Sequence, residues 1–274
     1  MALTPERLYR VHVENLRAVQ AGVQQIEREL RAAISRQDAA AAEALLKILL
    51  LLIGSWAECR LRKLLYEING FSADQRVYIT SGGSQHESWQ RAVELGFRVR
   101  HGVPKADLRG AIPPSARMLY VELTETIEKD LRPVIEMRNT LAHGQWARPL
   151  NNDGTDVVAS MVNALRKENA LSARFKMSIL EHLAKIIHDL VAGNHAFERD
   201  FDAHYGRLET ARRNLGTRAY ADWEASMIAK YQRGRTKRDA ALARKDETHS
   251  AGFLSRLFRK IKGDRGIFSR GEGP

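Results

Sequence analysis

Seven consecutive residues, Arg138, Asn139, Thr140, Leu141, Ala142, His143 and Gly144, set a permanent cation and a titratable imidazole near a helix end. A guanidinium fork holds and neutralises a phosphate in bidentate fashion, and a histidine titrating near neutrality takes a proton from one oxygen and returns it to another. That pairing is what phosphodiester cleavage without a metal requires. Spacing adds a condition. Five residues at ~100° each separate Arg138 from His143 by ~140° on a regular helix, whereas Asn139 and His143, four apart, share a face. A site completed by a two-fold partner meets this condition better than a self-contained one. The plainer reading is a helix end whose basic residues and glycine simply complement the dipole and stop the helix.

Glu58 and Arg62, four apart in SWAECRLRKLLYE, also share one helix face, where a surface ion pair is the plainer reading. His86, His101, His182, His188, His195 and His204 show no metal-ligand spacing, and no metal or cofactor is expected. The single Cys59 excludes an internal disulfide, suits a reducing compartment and reads as core packing. Trp89, Trp146 and Trp223 read as packing residues before base-stacking ones.

The elements that must position these groups read as helices. Apolar residues recur at three- and four-residue spacings from Pro5 to about Gln37, with Thr4 and Pro5 as the start signal. A second helix begins near Asp38, is apolar all round over Leu45 to Ile53, and stops near Asn69 and Gly70, which suits the centre of a bundle or a subunit interface. From Phe71 to Ala116 the pattern breaks up. Gly82 and Gly83 mark a loop, SQHESWQRAVELGF a short amphipathic helix, and Val77 to Thr80 a candidate strand. The next helix is expected from about Arg117 to His143, kinked or joined at Pro133. After a turn around Asn152, Asp153 and Gly154, helices are expected over about 157–165, 172–192, 195–215 and 218–245. The fold class is therefore all-α.

The string Arg138, Asn139, three residues and His143, followed by Gly144, resembles the R-x(4 to 6)-H signature of the HEPN superfamily. Glu58 and Arg62 are similar to the E-x-x-x-[KR] pattern that accompanies it in some members. The resemblance covers about Arg36 to Trp146 and implies a helical bundle with additional C-terminal helices, homodimeric, and in many relatives a metal-independent endoribonuclease of toxin–antitoxin or phage-defence systems. It further implies Arg138 and His143 as catalytic, Asn139 as supporting them, RNA as substrate, and an antitoxin or defence-system protein as a further partner. The alternative is a catalytically silent helical nucleic-acid-binding or scaffold component of a defence complex.

Charge is unevenly spread. The chain of 274 residues carries a net +11, of which residues 207–274 hold 17 Lys and Arg against 8 Asp and Glu. Such clustering attracts polyanions through counterion release. Arg233, Arg235, Lys237 and Arg238 are the candidate RNA-binding residues, continued by Arg244 and Lys245. GFLSRLFRKIKG reads as a basic amphipathic helix for RNA, a partner or, as the weaker alternative, a membrane. The expected organisation is a helical domain over 1–150, a helical extension over 151–247 and a basic tail over 248–274, its last residues disordered when unbound. No signal peptide is visible, and the apolar run Ile48 to Ala57 falls short of the ~20 residues of a bilayer span, so a cytoplasmic protein is expected.

Overall fold

The computed structural model describes residues 3–104, 107–193 and 195–264, with side chains as far as residue 242. These residues form helices and no strands; their one β-like feature is an isolated bridge between Leu150 and Val157. The all-α class follows directly. Two compact units divide between residues 223 and 224.

In the first unit, α1 (Pro5–Ser35) starts where Thr4 accepts from the Arg7 N–H, and α2 (Ala39–Leu65) where Asp38 accepts from the Ala41 N–H. Helix α2 stops sooner than expected. Asn69 takes a left-handed φ of 61° in the turn that follows, so the Asn-Gly pair shapes the loop and does not end the helix. By length and composition α2 could cross a membrane. Here it lies against α1, α7 and α9, burying Leu49, Leu50, Ile53, Trp56, Leu61, Leu64 and Leu65.

Between residues 71 and 116 the candidate strand is overturned: Val77 to Thr80 lie in α3 (Ala73–Thr80). Ser72 and Gln75 form a reciprocal capping box, and Ile79 is buried while Val77 and Tyr78 stay exposed. Local end-capping plus one buried anchor outweighs the β-branched preference, since the described residues offer no second strand to pair with. The short amphipathic helix is α4 (Gln85–His101), opened by Ser84 and closed by Gly102 at φ 64°. A single turn, α5 (Leu108–Ala111), precedes α6 (Pro114–Thr126).

The expected helix to His143 comes in three parts: α6, a π-turn over Ile127–Leu131, and α7 (Arg132–Ala142). Pro133 has no N–H and its ring crowds the preceding turn, so a wider turn just before it relieves the clash. After the reversal over 144–158 come α8 (Ala159–Lys167), α9 (Ala170–Ala192), α10 (Ala196–Thr217) and α11 (Tyr220–Asp264). Arg212 of α10 clamps the π-turn, donating from Nη2 to Thr126 Oγ1 at 3.1 Å and Asp130 Oδ2 at 2.5 Å. Helix α9 packs on α10, α2 and α4, closing the core.

In the second unit, the backbone of α11 is helical through residue 264, across the expected change of character at residue 248. Arg233, Arg235, Lys237 and Arg238 are exposed on it. The side chains of Arg244 and Lys245, the two faces of GFLSRLFRKIKG and the expected disorder of the final residues lie outside the described residues.

Candidate functional site

Arg138 is where it is because Gly54 has no side chain. A Cβ on Gly54 would sit 2.3 Å from Arg138 Cβ and 2.7 Å from its Cγ, so α2 and α7 approach closely only with glycine there. The arginine stem lies over that gap and its head reaches Glu58, one helical turn further along α2. Arg138 Nη2 donates to Glu58 Oε2 at 2.7 Å, and Nη1 donates to Asn139 Oδ1 at 3.0 Å. Arg62 Nη2 stands 3.8 Å from the other Glu58 oxygen. Glu58 is thus shared between two guanidinium groups, with its shorter contact across helices and not along its own.

These four residues line a cleft of about 420 Å³. Leu61 and Leu65 supply its apolar surface, and the opposite wall is the turn from α3 into α4, with Gly82, Gly83, Ser84, Gln85 and Ser88. Sequence reasoning missed that wall. Its signal was present in the pair of glycines followed by a capping serine, whose Oγ accepts from the Glu87 N–H at 3.2 Å. A helix start presents unpaired amides and the positive end of the dipole.

Two of the lining residues carry a buried donor with no protein partner, Arg138 at Nε and Gln85 at Nε2. Leaving such a group unpaired costs about 1–3 kcal/mol. Of the lining residues Arg62 and Arg138 are cationic and Glu58 anionic, leaving one net positive charge beside the helix start. The charged side chains that line the cleft thus sum to one positive charge, which suits a single anionic group, although the Glu87 carboxylate already accepts from the Gly83 N–H at 2.7 Å at the helix start.

His143 stands outside it. It caps the end of α7, its backbone N–H bonding the Asn139 carbonyl, and its side chain is exposed; Gly144 follows at φ 74°. Trp146 Nε1 donates to the Leu141 carbonyl at 2.9 Å, covering the same helix end. The chain therefore gathers Arg138, Asn139, Glu58 and Arg62, while His143 occupies the solvent-facing end of α7. Asn139 joins through its carbonyl oxygen, which orients Arg138.

A second titratable cluster joins α1, α2, α9 and α10. Burial alone would raise the Glu67 carboxyl, but hydrogen bonds and charge from His188 and Lys63 hold it at about 2. Burial, then the charges of Lys185, His204 and Arg207, push His182 down to about 4. Its ring lies 5.8 Å from that of His204. No metal-binding group of acidic, histidine or cysteine side chains occurs among the described residues. Burial and the Glu58 charge raise the Cys59 thiol, which keeps it protonated. Comparison with known proteins found no matching family model, no matching curated protein and no matching solved structure.

Proposed function

We propose that this chain is a metal-independent endoribonuclease of HEPN type, cytoplasmic and homodimeric, serving a toxin–antitoxin or phage-defence system. The observation that carries the reading is the Arg138 guanidinium held by Glu58 and Asn139 in a cleft whose charged lining residues leave one net positive charge. Arg138 steadies charge developing on the phosphoryl oxygens of an RNA linkage. The 2′-oxygen attacks phosphorus, the bond to the 5′-oxygen breaks, and a 2′,3′-cyclic phosphate forms. His143 moves the proton between those two oxygens, an assistance worth ~10²–10⁴-fold. The solvent-facing position of His143 fits a site completed by the partner's motif.

RNA incubated in EDTA tests the reading. The wild type cleaves it, and Arg138→Ala and His143→Ala retain binding but lose cleavage. Equal cleavage by wild type and His143→Ala contradicts the assignment. The position of His143 outside the cleft also favours a second reading, a silent RNA-binding scaffold. RNA bound and left intact by every form of the protein supports that one.

A further inference from the structure

A second groove, sharing no residue with the Arg138 cleft, lies between α1, α2 and α9 and encloses about 460 Å³. Leu16 and the largely buried Trp56 give it an apolar wall. Arg17, Arg60 and Lys185 bring three cations to it, against the single carboxyl of Glu181. Arg17 and Lys185 are exposed, and unpaired cations at a surface are ordinary. Arg60 is not ordinary, because it is half-buried and meets Glu67, Asp189 and Tyr9 only through longer-range charge and not through a direct hydrogen bond.

Its nearest carboxylates are already engaged. Glu67 accepts from Lys63 and from the Tyr9 hydroxyl and faces His188, while Asp189 faces His188 and His204. They act on Arg60 only at longer range, and burial still pulls the guanidinium below its ordinary value. Half-burial strips part of the water from the guanidinium, and an anion in the groove would restore that lost interaction. Burial also raises the Glu181 carboxyl.

We propose that this groove binds a phosphomonoester carrying a small apolar or planar body, with Arg60 as the principal anchor and Arg17 and Lys185 beside it. The charge matches: a phosphomonoester carries about −1.5 to −2 near neutrality, against three cations and one carboxyl. Its volume lies within the ~300–1,000 Å³ of small-molecule sites. Two sources share this chemistry, a free nucleotide and the phosphorylated 5′ end of an RNA.

Calorimetry on the full chain tests the site with adenosine 5′-monophosphate, adenosine, and an uncleavable 2′-O-methyl RNA with and without a 5′-phosphate. The phosphorylated probes bind at least tenfold more tightly than their phosphate-free counterparts, and Arg60→Gln and Lys185→Gln each remove most of that difference. Preference for the phosphorylated RNA over the mononucleotide assigns the RNA end as the source; the reverse order assigns the free nucleotide. Arg60→Met, read by thermal unfolding, guards against a folding artefact: it unfolds at least as high as the wild type without ligand and gains nothing from the nucleotide. Equal binding of phosphorylated and unphosphorylated probes overturns the proposal. So does nucleotide binding untouched by Arg60→Gln, or an Arg60→Gln protein that only falls from dimer to monomer, which would mean that a second copy supplies the anion. RNA cleavage in EDTA is assigned to Arg138 and His143, which none of these variants touches, so cleavage lost with Arg138→Ala and His143→Ala tests the nuclease reading separately.

Discussion

Glu58 holds Arg138 by a charge-assisted bond across two helices, so its contribution can be separated from that of Arg138 itself. Glu58→Gln keeps an acceptor and removes the charge. Losing the charge assistance, about 1.5 kcal/mol, lowers the cleavage rate roughly tenfold, while Arg138→Lys, which cannot form the same fork, falls further. Single-turnover rates check both, and an unchanged Glu58→Gln rate would detach the glutamate from the site. At this scale the sequence was informative about residue types and less so about partners. The spacing of Arg138 and His143 already implied opposite sides of one helix. Whether Glu58 pairs within α2 or across to α7 depends on how closely the helices approach, and spacing along one helix carries no such information. Gln85 was invisible for the same reason: its role comes from a turn folded against the far end of α2.

At the scale of elements, Gly54 sets the gap through which Arg138 reaches Glu58. Gly54→Ala pushes α2 from α7 and costs about 1–3 kcal/mol, a fall of several degrees in Tm for a chain of this size, together with loss of cleavage. A melting temperature equal to wild type would show that the helices part freely and that the gap does not matter. The long helices were legible because their apolar residues repeat at helical spacing and their starts carry Thr4, Asp38 and Ser84. Two features were not. Val77 to Thr80 carries a strand-like run, and only the Ser72 and Gln75 cap, together with the lack of a partner strand, makes it helical. The π-turn before Pro133 is held by Arg212, some 80 residues away, a tertiary contact that no local pattern announces.

For the whole molecule, acid stability follows from the cluster between α1, α2, α9 and α10. His182 titrates at about 4 in the folded chain against an ordinary 6.5, so the unfolded chain takes up its proton first. Its stabilising contribution is complete above about pH 6.5 and is lost as pH falls towards 4. Because the ring is partly solvated, the size is discounted to about 1 kcal/mol. Glu67, at about 2 against 4.5, adds a second loss at lower pH, between those values. Denaturation midpoints between pH 7 and 4 test the first step: His182→Gln flattens the slope, and an unaltered slope rejects the assignment. The exposed cations of α11 make a separate prediction. Replacing Arg233, Arg235, Lys237 and Arg238 by glutamine lowers the salt slope of single-stranded RNA binding by about 3, at ~0.7 per phosphate contact; an unchanged slope removes them from the interface. The uneven charge along the chain pointed to these residues, whereas the acid-labile cluster is assembled from four helices and left no local trace.

The central claim is that Arg138 and His143 act on one RNA linkage through its own 2′-oxygen. The mass spectrum of RNA incubated with the full chain in EDTA tests it most directly. Fragments ending in a 2′,3′-cyclic phosphate are predicted, absent from Arg138→Ala and His143→Ala and absent where the cleaved nucleotide is made 2′-deoxy. Fragments with 3′-hydroxyl ends, or the same fragments from either variant, would contradict it.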